Sequence, residues 1–98
     1  MSGVALVIGA ASGIGRATAI TFVQEGVSRI ILADRNLEGL HGTEELLQKT
    51  NADVKAVSIE MDVSNEASVE AMVSEGATAF GSIQYVVNCA GILSRTIV

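Results

Sequence analysis

Val4-Ala5-Leu6-Val7-Ile8-Gly9-Ala10-Ala11-Ser12-Gly13-Ile14-Gly15 is the stretch that decides the fold. Its first five residues form a short, β-branched apolar run that Gly9 ends, the pattern of a buried strand. From Gly13 to about residue 24 the spacing becomes helical. Ile14, Ala17, Thr18, Thr21 and Phe22 recur at i, i+3, i+4, i+7 and i+8, one face of an amphipathic helix. Gly26 stands where a glycine closes a helix.

The same alternation continues down the chain. Residues 29–33 form a second apolar run ending at Asp34. Asn36 is placed to cap a helix to about residue 49, although Gly39 and Gly42 weigh against it. A turn cluster at 50–53 precedes a third strand over 55–61, which ends at Asp62-Val63. Ser64 or Asn65 can cap a third helix over about 66–79, with Val69, Met72, Val73 and Ala77 at helical spacing. Gly81 breaks it, and a fourth strand over 83–88 ends at Cys89-Ala90-Gly91. Strand–helix alternation of this kind predicts a parallel sheet with right-handed crossovers. The expected fold is therefore α/β: a truncated Rossmann-type, doubly wound sheet, strand order 3-2-1-4, with helices on both faces. Residues 1–98 read as one partial domain that ends just after its fourth strand.

Composition agrees and narrows the function classes. The chain is 49% hydrophobic and 17% charged, with no proline and no tryptophan. Long apolar runs suit a sheet covered on both faces. The net charge is −5 and there is no cluster of Lys or Arg, which argues against nucleic acid or an anionic membrane as partner. One cysteine allows no internal disulfide. No apolar stretch approaches the roughly 20 residues of a membrane span, and no basic segment precedes the first apolar run, so the expected compartment is the cytoplasm.

The glycine loop carries the chemistry. Gly9 permits the sharp exit from the strand. Gly13 lets backbone approach a pyrophosphate where a Cβ would collide, and Gly15 lets the helix pack closely on the strand. Free N–H groups at the helix start, aided by the helix dipole, favour phosphate there. Asp34, 19 positions past Gly15, follows the second strand. Its carboxylate can accept hydrogen bonds from the 2′- and 3′-hydroxyls of an adenosine ribose and would repel a 2′-phosphate. These features together predict a dinucleotide as ligand and NAD over NADP. Arg35 complicates that choice, since a guanidinium beside Asp34 could pair with a 2′-phosphate.

These residues resemble the short-chain dehydrogenase/reductase family, whose G-x-x-x-G-x-G spacing is that of Gly9, Gly13 and Gly15. Asp62-Val63 is similar to the family's Asp-Val pair, whose carboxylate approaches the adenine amino group. Asn88-Cys89-Ala90-Gly91 is similar to its Asn-Asn-Ala-Gly, which supports the sheet and touches the cofactor's ribose. The resemblance implies a cofactor set of Gly9, Ser12, Gly13, Ile14, Gly15, Asp34, Arg35, Asp62, Val63, Asn88, Ala90 and Gly91, and it covers only the front half of the family's domain. Ile8 stands where the family usually has threonine, and Cys89 replaces an asparagine, so somewhat weaker anchoring of the loop is expected.

The family's proton chemistry needs a tyrosine with a lysine four residues on, because a free phenol titrates near pH ~10. Here Tyr85 is followed by Cys89 at that spacing, and the lysines are Lys49 and Lys55. Tyr85 reads as a strand residue and His41 as a surface residue, so no catalytic residue and no metal site is assigned. Ser94, Arg95 and Thr96 fall near where substrate would enter but are read as an untethered end. The expected function is the NAD-binding half of a hydride-transferring oxidoreductase, inactive as these 98 residues alone. The alternatives are a non-catalytic nucleotide-binding module and an interaction protein that pairs, with itself or another chain, through an open fourth strand.

Overall fold

The computed structural model describes residues 3–11, 13–62 and 65–89. In chain order the elements are β1 (Val4–Ile8), α1 (Gly13–Gln24), β2 (Arg29–Asp34), α2 (Leu37–Thr50), β3 (Lys55–Glu60), α3 (Glu66–Phe80) and β4 (Tyr85–Asn88). The four strands form one sheet in the order β3-β2-β1-β4. All three pairings are parallel, with Val4 opposite Arg29, Ala5 opposite Tyr85 and Arg29 opposite Lys55. The doubly wound expectation holds in order and direction.

Alternation along the strands divides the core into two layers. Ala5, Val7, Ile30 and Leu32 point toward α1 and α2, where they meet Ala19, Leu40 and Leu47. Val4, Leu6, Ile8, Ile31 and Ala33 point the other way, toward Met72, Val73 and Phe80 of α3. β1 is central and buried throughout.

The helix boundaries follow local chemistry. Asn36 caps α2 by accepting from the Gly39 N–H at 2.9 Å, and Asn65 caps α3 by accepting from the Ser68 N–H at 3.2 Å. α1 closes with paired bonds, Gly26 N–H to Val23 O at 3.1 Å and Val27 N–H to Phe22 O at 3.0 Å, which satisfy two of its last carbonyls. β4 begins at Tyr85 rather than at residue 83. Just before it, the Gln84 N–H donates to Val4 O, and the Gln84 side-chain oxygen accepts from the Val4 N–H at 2.7 Å. A side chain thus supplies the first rung of the pairing, and Ile83 turns into the α3 layer.

Two helical expectations need correction. The stripe Ile14, Ala17, Thr18, Thr21 and Phe22 is not the most buried face of α1, although Phe22 packs against the core beside Tyr85. Gly15, Ala19 and Val23 are buried instead, and Ile14 is 48% exposed. The expected stripe, with Glu25, lines an open groove of about 330 Å³. Gly15 anchors the packed face, because only a residue without Cβ can sit against the Gly9 carbonyl, and Ala19 and Val23 follow it at i+4 and i+8. Gly39 and Gly42, read as weakening α2, sit inside an unbroken helix. A Cβ on Gly39 would lie 2.8 Å from Ala11 Cβ, and one on Gly42 would lie 3.0 Å from the Arg16 guanidinium. Both glycines permit close approach. In α3, Met72 is buried as expected, while the side chains of Val69 and Ala77 fall outside the described set.

Candidate functional site

The chain runs outward from β1 to β2 and β3, then crosses back over β2 and β1 to reach β4, so the strand order reverses beside β1. Ligands of doubly wound sheets bind at the carboxyl ends of the strands beside this switch. Those ends carry Gly9 after β1, Asp34 at the end of β2, Asp62 after β3 and Asn88 at the end of β4. Asn88 is in register with Ile8, so it adjoins the start of the loop.

The loop leaves β1 at Gly9, where φ is +84°, and enters α1 at Gly13, where φ is +59°. Both values lie in the left-handed region, which glycine adopts without a steric penalty. Among the described residues, a Cβ on Gly13 would meet no atom within 4 Å beyond its chain neighbours and the α1 backbone. The space in front of Gly13 is therefore open, a cradle that a side chain would begin to fill. Gly15 is the reverse case: its Cβ would lie 1.8 Å from the Gly9 carbonyl oxygen. One glycine keeps space free, and the other lets the helix start pack against backbone. The first-turn amides of a helix have no intrahelical acceptor, so those of α1 suit an anion placed at the cradle. The residues present therefore fit a phosphate-bearing ligand.

The described loop residues Gly9, Ala10 and Ala11 are tied by hydrogen bonds. Gly9 N–H and Ala10 N–H both donate to Ala33 O, at 2.7 and 3.2 Å. Ala11 N–H donates to Asp34 Oδ2 at 3.1 Å, while Asp34 Oδ1 accepts from Asn36 N–H at 3.1 Å. Asp34 thus joins the loop to the start of α2 as well as ending β2. The carbonyls are held too. Arg16 Nη2 donates to Ala11 O at 2.7 Å and to Gly39 O at 2.9 Å, and the Thr43 hydroxyl donates to Ala10 O at 2.7 Å. Ile8 is buried in the α3 layer, so other residues supply these anchors.

Arg35 and Asp62 form an ion pair at 3.6 Å, with side chains 71% and 50% exposed. Cys89 is buried, its Sγ 3.7 Å from Thr18 Oγ1. His41 is exposed on α2. Among the described residues no group of three or more His, Cys, Asp or Glu could hold a metal. No helix among them is long and apolar enough to cross a membrane. Of the expected site residues, Gly9, Gly13, Ile14, Gly15 and Asp34 gather at the loop, Arg35 and Asp62 pair beside it, and Asn88 closes the β4 side. Ser12, Val63, Ala90 and Gly91 lie outside the described residues, as do Ser94, Arg95 and Thr96. Arg16 and Thr43 were missed. The available signal was Arg16 itself, the single charged residue of α1.

Comparison with known proteins agrees with this geometry. A family model described as short chain dehydrogenase matches residues 3–98. The chain is 40% identical over 94 residues to the short-chain dehydrogenase anuF of Penicillium roqueforti, covering 94% of this chain and 34% of that protein. The crystal structure of NAD+-bound xylitol dehydrogenase superposes with a TM-score of 0.75 at 36% identity, covering 86% of this chain and 31% of that one. An actinorhodin polyketide ketoreductase variant with NADPH gives a TM-score of 0.76 at 34% identity, covering 89% and 32%. The chain spans about a third of the length of most of the curated relatives it matches, and less of others. With its loop spacing, its strand order and these likenesses in agreement, the chain belongs to the short chain dehydrogenase family.

Proposed function

We propose that this chain holds the adenosine and pyrophosphate end of a nicotinamide dinucleotide, NAD rather than NADP, as the cofactor-binding half of a hydride-transferring oxidoreductase. The observation that carries the reading is the pairing of an open cradle at Gly13 with a carboxylate, Asp34, fixed beside the same loop. In this reading the loop backbone takes the pyrophosphate. Asp34 accepts from the ribose hydroxyls, Asp62 and Val63 lie toward the adenine, and Asn88, Ala90 and Gly91 lie toward the second ribose. The bound dinucleotide would supply the hydride donor or acceptor for an alcohol or carbonyl carbon.

Relatives of known structure carry NAD+ in one case and NADPH in another, so the preference has to come from this chain's own residues. Asp34 disfavours a 2′-phosphate by charge. Arg35, the nearby cation, is engaged by Asp62. Residues 1–98 hold no Tyr-x-x-x-Lys pair, so proton transfer to the substrate oxygen lies beyond what they supply. The proposed compartment is the cytoplasm.

Calorimetric titration of the chain with NAD and NADP tests the reading. Tighter binding of NAD is expected. Equal affinities would remove Asp34 as the selector, and no heat with either would remove the function. A second reading has its own observation: among the described residues β4 is the outer strand of the sheet, and Val86 on it is 52% exposed. We propose that this edge drives self-association, as unprotected apolar edges do.

A further inference from the structure

We propose that Arg16 and Thr43 form a staple that fixes the peptide planes of the glycine loop, which makes them positioning residues for the phosphate cradle; this extends the dinucleotide reading above. The argument starts from the peptide group. In a trans peptide the carbonyl and the following N–H point to opposite sides. A loop that offers N–H groups to an anion must therefore turn its carbonyls away, because a carbonyl oxygen facing a phosphate repels it.

Here both critical carbonyls are captured from behind. Ala10 O accepts from the Thr43 hydroxyl at 2.7 Å, and the next amide, Ala11 N–H, points instead to Asp34 Oδ2 at 3.1 Å. Ala11 O accepts from Arg16 Nη2 at 2.7 Å. The two captors are themselves joined: Arg16 Nε donates to Thr43 Oγ1 at 2.9 Å, and Arg16 Nη2 also reaches Gly39 O at 2.9 Å. One guanidinium and one hydroxyl thus link the loop, the first turn of α1 and the middle of α2. The fork of the guanidinium is needed for this, since a lysine offers a single charged point. Thr43 is fully buried, so its hydroxyl is spent on these bonds and not on water. Gly39 and Gly42 supply the room, because a Cβ at either would press on Ala11 or on Arg16.

The test uses the chain itself with four variants. Thr43→Val keeps the shape and removes the hydroxyl, Thr43→Ser restores the hydroxyl, and Arg16→Lys keeps the charge and loses the fork. Leu47→Val is the control, a fully buried position one turn further along α2 and away from the loop. Two readouts are taken: amide hydrogen exchange at Ala10 and Ala11 in the free chain, and the NAD dissociation constant. Thr43→Val and Arg16→Lys are expected to speed exchange at those amides and to weaken NAD roughly tenfold, the factor that about 1.4 kcal/mol produces. Thr43→Ser is expected to stay within about twofold of the parent in both, which is under about 0.5 kcal/mol. Leu47→Val should lower the unfolding midpoint without either change. If Thr43→Val does not fold, Arg16→Lys carries the test. The staple is overturned if the loop variants behave like Leu47→Val. If the parent binds no dinucleotide but its Ala11 amide still loosens on Thr43→Val and recovers on Thr43→Ser, the staple stands and the dinucleotide reading falls.

Discussion

The two faces of the sheet are built from similar strand residues yet end differently. Toward α1 and α2, Ala5, Val7, Ile30 and Leu32 are fully buried, and so are Leu40 and Leu47 that cover them. Toward α3, Leu6 and Ile31 are equally buried on the central strands. Their register partners on the edge strands, Val86 and Val57, are 52% and 41% exposed. Geometry explains the difference. Four strands about 4.8 Å apart span more than about 14 Å, and one helix is only about 10 Å across. Among the described residues two helices lie on one face and span it, and the single helix on the other covers its middle. The candidate site belongs to the well-covered face, where loop, α1 and α2 are bonded into one body. The half-covered face carries the exposed apolar edge.

Substitutions can break this contrast, and the largest effect should come where the covered face admits no atom. Gly15→Ala puts a Cβ 1.8 Å from Gly9 O, and a loss above about 4 kcal/mol, enough to prevent folding, is expected. Far-ultraviolet circular dichroism would read it, and a cooperative melt near the parental midpoint would contradict it. Leu40→Ala opens a cavity on the same face and should cost about 2–5 kcal/mol in urea unfolding. Val57→Ala, on the half-covered face, should cost less than about 1 kcal/mol. Equal costs would mean that the faces differ in exposure and not in energy.

Smaller effects separate binding from folding. Gly13→Ala places a side chain in the left-handed region at a cost of about 1–2 kcal/mol. The chain should still fold, because no described residue beyond the local backbone lies within 4 Å, yet lose affinity for NAD and NADP alike. Asp34→Ala should remove the preference for NAD, a change of roughly tenfold or about 1.4 kcal/mol in the affinity ratio. It should also speed exchange of the Ala11 amide, whose acceptor it deletes. A ratio that does not move would assign selectivity elsewhere. Val86→Lys should alter stability by no more than about 0.5 kcal/mol. Light scattering should nonetheless show less self-association, since a charge on an edge strand blocks pairing. An unchanged mass would acquit the β4 edge.

Much of the fold was legible because short-range rules govern it. Gly9 after a β-branched run, Asn36 and Asn65 at helix starts and Gly26 at a helix end each act on neighbours within a few residues, and each stands where the sequence predicts. The failures were of one kind. The apolar stripe of α1 was weighed by hydrophobicity, whereas the packed face follows from the close approach of Gly15 to the Gly9 backbone. Gly39 and Gly42 were weighed by helix propensity, whereas their role is to admit Ala11 and Arg16.

The sequence by itself determined the order of strands and helices, the left-handed turn of the loop and the placement of an acidic residue at the end of β2. Backbone geometry and neighbouring side chains suffice for those. Only the tertiary structure decided that Thr43 meets Ala10 across 33 positions, that Arg16 meets Gly39 across 23, and that Arg35 pairs with Asp62. Those contacts exist because parallel strands bring the ends of distant segments to one edge of the sheet, and no local spacing encodes which of the residues gathered there will touch.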